Sequence, residues 1–395
     1  MKSLLVVGST TNLGLAGPDT PAAKSGGRRL DACAAQNNLG FMYATGQGVE
    51  KDYLEALKWY RLAASQGDAM SQLNLGVMFA NGQGVPLDPA QSLKYYLQAA
   101  DQGSADAQFS LGVMYSNGRG VLQAYDTALQ WYTKAATQGH IRSQLNLGLM
   151  FANAQGVPQD HKKAVVWFES AAELGDSVAQ YNLGVLYNLG QGIPQNYELA
   201  LHWYQLAAEQ GDAYAQSNLA LMFHNGQGTE QDFGLAKKWY TLAAEQSDAY
   251  AQFNLGVLYA NGQGVEKDFA VALDWYRLAA DQGDAAAQHG IGLMYQLGNG
   301  VAQDNVQALK WFKLSAEQGF TSAQVDLGWL YANGQGVLQD FLLAHMWFNI
   351  GLAYGAQSAL AGRDFVAKQM TTQQIADAQK MARECTRRIF KDIES

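Results

Sequence analysis

The feature that most constrains this chain is a glutamine that returns every 36 positions. It occurs nine times with no insertion or deletion between occurrences, at Gln36, Gln72, Gln108, Gln144, Gln180, Gln216, Gln252, Gln288 and Gln324. A period of this size predicts stacked supersecondary units, each contacting only its neighbours. This architecture favours a binding scaffold over an enzyme.

Within one repeat, the residue pattern predicts two helices joined by a glycine turn. Gln144, Leu147, Gly148 and Phe151 are spaced as one face of an α-helix. The turn, seen intact at 81–85 as Asn-Gly-Gln-Gly-Val, has glycines that permit a left-handed helix end. A capping Asp or Asn then opens the second helix, at Asp52, Asp88, Asp160, Asn196, Asp232, Asp268, Asp304 and Asp340.

Recurrent small and large residues predict how the two helices pack. A glycine such as Gly148 inside a helix costs about 1 kcal/mol relative to alanine, so its recurrence implies close approach of a second helix. The second helix repeats a tryptophan, which we predict to be its large core residue, at Trp59, Trp131, Trp167, Trp203, Trp239, Trp275, Trp311 and Trp347. An Asp following each hairpin is predicted to cap the next first helix, at Asp68, Asp176, Asp212, Asp248 and Asp284.

These residues resemble the Sel1-like repeat (SLR) family, a relative of the tetratricopeptide repeats. The resemblance implies an all-α fold: a right-handed superhelical solenoid of nine 36-residue helix-turn-helix repeats, followed by C-terminal capping helices. We predict a disordered N-terminal segment at residues 1–30, nine repeats over residues 31–355, and a degenerate repeat with a capping helix over residues 356–395. Thr371 or Thr372 is expected to cap that last helix.

Composition restricts the classes of partner and the cellular locations that we expect for this chain. A net charge of −9 argues against nucleic acid, whose phosphates require clustered Lys and Arg. Cys33 and Cys385 are too far apart in an extended stack to form a disulfide, which favours the cytoplasm. No apolar run is long enough for a transmembrane segment. The weak signal-peptide character of Leu4–Val7 leaves a periplasmic or secreted location open, and we expect a monomer.

Catalytic patterns are missing from the sequence, so we predict a protein that is not an enzyme. The histidines occupy different phases of the repeat, and no metal-binding motif, phosphate loop or Gly-x-Ser-x-Gly elbow occurs. We therefore expect no cofactor and no metal. Cysteine-rich relatives are linked to β-lactamase or penicillin-binding activity. This chain lacks their cysteine pairs, so a β-lactamase-like hydrolase is the least favoured alternative.

The first helices carry a second periodic set, which we predict to line a concave groove. Asparagines alternate there with aliphatic residues, and an amide can both donate to and accept from a peptide backbone. Tetratricopeptide proteins hold peptides with an asparagine at the corresponding place, and the resemblance extends this role here. Exposed aromatics would add selectivity. The predicted groove residues are Asn74, Asn146, Asn182, Asn218, Asn254, Val77, Leu149, Leu221, Val257, Tyr214, Tyr250 and Trp329.

The sequence thus predicts a non-catalytic protein–protein interaction scaffold that binds a segment of a protein or peptide partner in its concave groove. Two alternatives stay open. The asparagines could instead fix the register between repeats. The chain could also be an exported scaffold that binds peptidoglycan or another cell-envelope polysaccharide.

Overall fold

A computed structural model describes the backbone of residues 29–394 and the side chains of residues 32–387. The predicted disordered segment 1–30 lies outside the described residues, except for Arg29 and Leu30, which belong to the first helix. Every regular element in the described part is an α-helix. The helices are α1 (Arg29–Thr45), α2 (Tyr53–Ser65), α3 (Ala69–Asn81), α4 (Pro89–Asp101), α5 (Ala105–Asn117), α6 (Tyr125–Ala136), α7 (Ile141–Ala152), α8 (His161–Glu173), α9 (Ser177–Leu189), α10 (Tyr197–Glu209), α11 (Ala213–Asn225), α12 (Phe233–Glu245), α13 (Ala249–Asn261), α14 (Phe269–Asp281), α15 (Ala285–Leu297), α16 (Asn305–Glu317), α17 (Thr321–Asn333), α18 (Phe341–Ala353), α19 (Ala359–Ala367) and α20 (Thr372–Glu394).

The helices pack as consecutive hairpins within two compact units, which comprise the described residues up to 210 and from 211 onward. In the first unit, α1–α10 form five hairpins, and α2, α4, α6 and α8 each also pack against the first helix that follows. In the second unit, α11–α18 form four hairpins, and α19 and α20 both pack on α18. The predicted all-α solenoid is confirmed, while the predicted three-part division of the chain stays a prediction. None of the described helices is both long and apolar enough to cross a bilayer.

Capping side chains fix where the helices begin. The predicted Asp caps are present: Leu54 N donates to Asp52 Oδ1 at 2.8 Å, and Ala287 N donates to Asp284 Oδ1 at 2.7 Å. Gln374 N donates to Thr371 Oγ1 at 3.2 Å while Thr371 N donates to Gln374 Oε1 at 2.8 Å. This reciprocal capping box identifies Thr371 as the residue that starts α20.

The turn between the helices requires left-handed backbone, which glycine adopts without strain. Gly82 ends α3 with a φ of 67°. Ala154 stands at the corresponding position of the fourth repeat and has a φ of 56°. A residue with a Cβ is disfavoured in this region, so the fourth repeat carries local backbone strain.

The large core residue of the second helix is not the predicted tryptophan but the aromatic residue that follows it. A Cβ added to Gly148 would lie 2.5 Å from the ring of Phe168, which follows Trp167 in α8. The same position is a fully buried ring in most repeats: Tyr60, Tyr96, Phe168, Tyr204, Tyr240, Phe312 and Phe348. Successive helical side chains point about 100° apart. The tryptophan therefore lies at the edge of the core and, outside Trp239 and Trp347, is partly exposed.

The periodic glutamine is a buried link between three helices. Gln108 Nε2 donates to the carbonyl of Ala100 in the preceding repeat at 3.4 Å, and Gln108 Oε1 accepts from Gln138 at the end of its own hairpin at 2.8 Å. Both functions of the amide are thus used, as burial requires. The same Gln–Gln bond, at 2.7–2.9 Å, joins Gln66–Gln36, Gln102–Gln72, Gln210–Gln180, Gln246–Gln216, Gln282–Gln252 and Gln318–Gln288.

The fourth repeat lacks this link. Leu174 occupies the position of the donating glutamine and is 54% exposed. Gln144 still donates to the Ala136 carbonyl at 3.3 Å, but its Oε1 is buried without a hydrogen-bond partner. A buried acceptor without a donor destabilises the fold, so this repeat is held less firmly than its neighbours.

Candidate binding groove

Most of the predicted groove asparagines do not face an open surface. Asn74 and Asn182 are fully buried, and Asn146 and Asn254 are each only 8% exposed. This side of a first helix faces the preceding repeat. Asn74 Nδ2 lies 3.3 Å from Oδ1 of Asn37 in α1. All four amides are thus buried, and Asn74 contacts the preceding repeat, while their predicted contact with a ligand stays a prediction.

Several of these amides bond to the backbone of their own helix. Asn182 Nδ2 donates to the Val178 carbonyl at 2.9 Å, and Asn254 Nδ2 donates to the Tyr250 carbonyl at 2.8 Å. Asn218, which is partly exposed, makes the same bond to the Tyr214 carbonyl at 2.8 Å. The Asn37–Asn74 contact joins two repeats, as the register alternative requires, whereas the bonds of Asn182, Asn218 and Asn254 lie within single helices.

The first unit contains a groove of about 1030 Å³ lined by its first four repeats. Its apolar lining includes Phe41, Leu73, Val77 and Phe109. Val77, one of the predicted groove residues, is among them, and it is only 1% exposed. The volume is at the upper end of the range for clefts that hold a small ligand, and it suits several residues of a peptide. The predicted groove residue Leu149 is 2% exposed and lines a separate cavity of about 130 Å³ beside Asn146.

The polar part of the groove is built around an unusual helix cap. His140 precedes α7, where most other first helices have Asp or Ser and α17 has Phe320, and its Nδ1 accepts from Ser143 N at 3.2 Å. That bond places the proton of a neutral ring on Nε2, which lies 3.2 Å from Asp106 Oδ1. The hydrogen bond from His140 lowers the pKa of Asp106, so the carboxylate stays ionised. Lys51 and Arg142 also line the groove, and both are exposed.

Ser143, His140 and Asp106 have the connectivity of a catalytic triad but not its accessibility. Ser143 Oγ lies 3.0 Å from His140 Nδ1. However, Ser143 has no exposed surface, so its hydroxyl cannot reach a substrate. The three residues are better explained as the cap of α7. Within residues 32–387, no group of three or more His, Cys, Asp or Glu side chains is placed to hold a metal ion.

The second unit exposes more of its predicted residues. Leu221, Val257 and Trp329 are partly exposed and recur at the same position of their repeats, with Leu293 between the last two. Tyr214 is 53% exposed and Tyr250 is partly exposed. The ring of Trp329 packs against Phe348, with centroids 5.3 Å apart. This row is an apolar surface on the second unit alone.

Sequence reasoning missed Phe41, Thr45, Lys51 and Phe109, which line the groove of the first unit. None of them belongs to the asparagine pattern. The signal that could have found them is the departure of each repeat from its neighbours, at first-helix positions for Phe41, Thr45 and Phe109 and in the turn between the helices for Lys51. Arg142, which the sequence shows as such a departure from Asp106 and Tyr214, does line the groove.

The interlocked helical hairpins define a solenoid repeat protein. The Sel1 repeat model matches nine segments, at residues 33–68, 69–104, 105–140, 141–176, 177–212, 213–248, 249–284, 285–320 and 321–351. The chain therefore belongs to the Sel1 repeat family. Proteins with this fold are generally protein-interaction scaffolds.

Two solved structures are similar over most of the chain. The first is c5321, described as a protective antigen of uropathogenic Escherichia coli with an SLR fold. It has 38% sequence identity and a TM-score of 0.84, and the match covers 90% of this chain and 77% of that one. The second is a Sel1 repeat protein from Oxalobacter formigenes, with 33% identity, a TM-score of 0.60 and coverage of 81% and 91%. Comparison with curated proteins gives no match.

Proposed function

We propose that this protein is a non-catalytic scaffold that binds an extended segment of a partner protein in the groove of its first unit. The observation that carries the proposal is the groove itself, with its apolar lining and charged residues. The family supports the choice of a protein partner, since its members are generally interaction scaffolds.

The apolar lining provides the main source of affinity. Transfer of one Leu- or Phe-sized side chain from water into an apolar site contributes about 1.5–3 kcal/mol. Of the apolar lining, Phe41 is partly exposed and offers the contact surface for such an anchor, while Leu73, Val77 and Phe109 are only 1–3% exposed. The asparagines play a smaller part than the sequence predicts, because most of them are buried.

The proposal extends to the second unit through its own apolar row. Tyr214, Leu221, Tyr250, Val257 and Trp329 retain the exposure that a contact surface requires. Aromatic residues of this kind are favoured anchors at protein interfaces. We propose that this surface contacts a further part of the partner.

A pair of matched variants tests the groove. Thr45 and Ser65 are both exposed, and each donates its hydroxyl to a carbonyl of its own helix, but only Thr45 lines the groove. A photo-crosslinking residue at position 45 would first identify the partner. Affinity for the purified partner is then measured by calorimetry for Thr45→Trp and Ser65→Trp.

We expect Thr45→Trp to weaken binding at least about ten-fold, roughly 1.4 kcal/mol, because the indole fills the groove. Ser65→Trp should bind as the unaltered protein does, and both should keep the same Tm. Unchanged affinity in Thr45→Trp would refute the groove. Retention of both variants on purified peptidoglycan would instead favour the cell-envelope alternative.

A further inference from the structure

We infer that Asn299 is a site of spontaneous covalent modification, at which the side-chain amide becomes a carboxylate while the five other Asn-Gly pairs of the chain stay protected. The modification goes beyond the proposed function and concerns one turn of the second unit. It follows from the hydrogen bonds that the backbone makes at each Asn-Gly pair.

An asparagine followed by glycine can react with its own backbone. The glycine nitrogen attacks the side-chain Cγ, forms a five-membered succinimide ring and expels ammonia. Water then opens the ring at either carbonyl and gives aspartate or isoaspartate. One ammonia leaves and one water enters, so the reaction needs no oxidant or reductant. Glycine favours the attack because it has no Cβ to hinder it.

Five of the six Asn-Gly pairs stand at the same place in their repeats. Each glycine is the left-handed C-cap of a first helix, and the last residue of that helix is Asn81, Asn117, Asn225, Asn261 or Asn333. The N–H of each glycine donates to a helix carbonyl, as Gly262 does to Leu258. A nitrogen held in such a bond is not free to turn toward the asparagine side chain.

The sixth pair, Asn299 and Gly300, lies in the turn between α15 and α16, just past the C-cap Gly298. Most other repeats have glutamine at the position of Asn299, for example Gln263 in the preceding repeat. Asn299 N donates to the Met294 carbonyl at 3.0 Å, but this bond leaves the next nitrogen free. Within residues 32–387, neither Gly300 N nor the Asn299 side chain forms a hydrogen bond.

The turn also lets the reacting atoms meet. Asn299 is partly exposed and Gly300 is exposed, so water reaches the peptide group between them. Asn299 is flanked by two glycines, and the absence of a Cβ on either side makes rotation of its backbone easier. The asparagines at the helix ends lack this freedom, because helical φ and ψ angles fix their backbone.

The modification would act on the contact between two hairpins. A Cβ added to Gly300 would lie 2.8 Å from the carbonyl carbon of Phe269, so this turn packs against the start of α14 in the preceding repeat. The contact is on the Cα of Gly300, whereas the attacking atom is its nitrogen. Isoaspartate lengthens the backbone by one carbon and would displace Gly300 from Phe269. Aspartate keeps the backbone length but adds a negative charge.

Peptide mapping of the full chain tests the inference. The folded chain, and the same chain unfolded in 6 M guanidinium chloride, are incubated at pH 8.5 and 37 °C. Tandem mass spectrometry of digested samples then follows the replacement of the amide by a carboxyl group at each of the six pairs. The unfolded chain is the control in which no helix protects any glycine nitrogen.

In the folded chain, we expect Asn299 to react at least about five-fold faster than each helical asparagine, because a net hydrogen bond must open before the glycine nitrogen there can attack. In the unfolded chain, the six rates should agree within about two-fold, since local structure no longer separates them. Asn299→Gln should remove the fast site, and the matched control Asn261→Gln should leave it unchanged. The isoaspartate form should show faster hydrogen exchange at the start of α14.

Two outcomes would overturn the inference. Equal rates at all six pairs in the folded chain would show that the helix-end hydrogen bonds give no protection. Reaction of Asn299 only in the unfolded chain would show that its turn is held as firmly as the helices. Neither outcome bears on the proposed function, which the Thr45→Trp measurement tests separately.

Discussion

Leu174→Gln should stabilise the first unit, because it supplies a hydrogen-bond donor that the other repeats with the Gln–Gln bond already have. Gln144 Oε1 is buried and has no partner. In the third repeat, the equivalent Gln108 Oε1 accepts from Gln138 at 2.8 Å. A glutamine at position 174 can reach Gln144 by the same geometry, and the lost leucine is already 54% exposed.

The expected gain follows from the hydrogen bond alone. A typical net contribution is about 1 kcal/mol, and relief of a buried unsatisfied acceptor can raise it to about 3 kcal/mol. Little apolar burial is lost in exchange. For a unit of this size, 1 kcal/mol raises Tm by about 2–4 °C. Native-state hydrogen exchange of α7 and α8 measures the local effect directly, and calorimetry measures Tm.

Gln138→Leu is the matched control, since it creates the same defect in the third repeat. It should lower stability by about 1–3 kcal/mol and speed exchange in α5 and α6. If Leu174→Gln leaves both Tm and exchange unchanged while Gln138→Leu is also neutral, then the glutamine bonds do not stabilise the stack and this reasoning fails.

Three further substitutions test the fold. Ala154→Gly should stabilise by about 1 kcal/mol in urea unfolding, because it removes a left-handed alanine, whereas Ala152→Gly within α7 should destabilise by a similar amount. Gly148→Val should cost at least about 1–3 kcal/mol, because its side chain would enter the space of the buried Phe168 ring, and unchanged Tm would contradict that packing. Burial raises the pKa of Asp284, so the stability this group contributes is present below its unfolded pKa and is lost as pH rises through its folded pKa. Asp284→Asn keeps the cap but removes the titrating carboxyl group. The stability of this variant relative to the unaltered protein should therefore increase from pH 3 to pH 7 in thermal unfolding. A constant difference would contradict the raised pKa of Asp284.

Much of the repeat could be predicted from local pattern. The Asp284 cap, the Gly82 turn and the periodic glutamine all act within one hairpin or between adjacent hairpins, so spacing alone identifies them. The exchange of roles between Trp167 and Phe168 could not be settled this way. Adjacent aromatic residues both fit an apolar stripe, and only the docking of the helix shows which ring meets Gly148.

The groove could not be predicted from periodicity, because it depends on differences between repeats. Phe41 and Lys51 come from the first hairpin and Arg142 from the fourth, and their meeting depends on how tightly successive repeats are stacked. The side chain of Asn74 was predicted to be open for a related reason: a single repeat shows which face is apolar, but not how much of the other face its neighbour covers. The burial of Asn74 therefore depends on how closely the neighbouring repeat packs against it.

Several residues that differ from the repeat pattern lie in or next to one hairpin, and they determine where the first unit is locally least stable. His140 precedes the fourth repeat, and Ala154 and Leu174 lie within it. The same hairpin contributes Arg142 to the groove. A hairpin that is held by fewer stabilising contacts than its neighbours can shift to accommodate larger ligand side chains while the adjacent hairpins stay folded. We therefore expect the fourth hairpin to be the part of the groove that adapts to ligand side chains of different size.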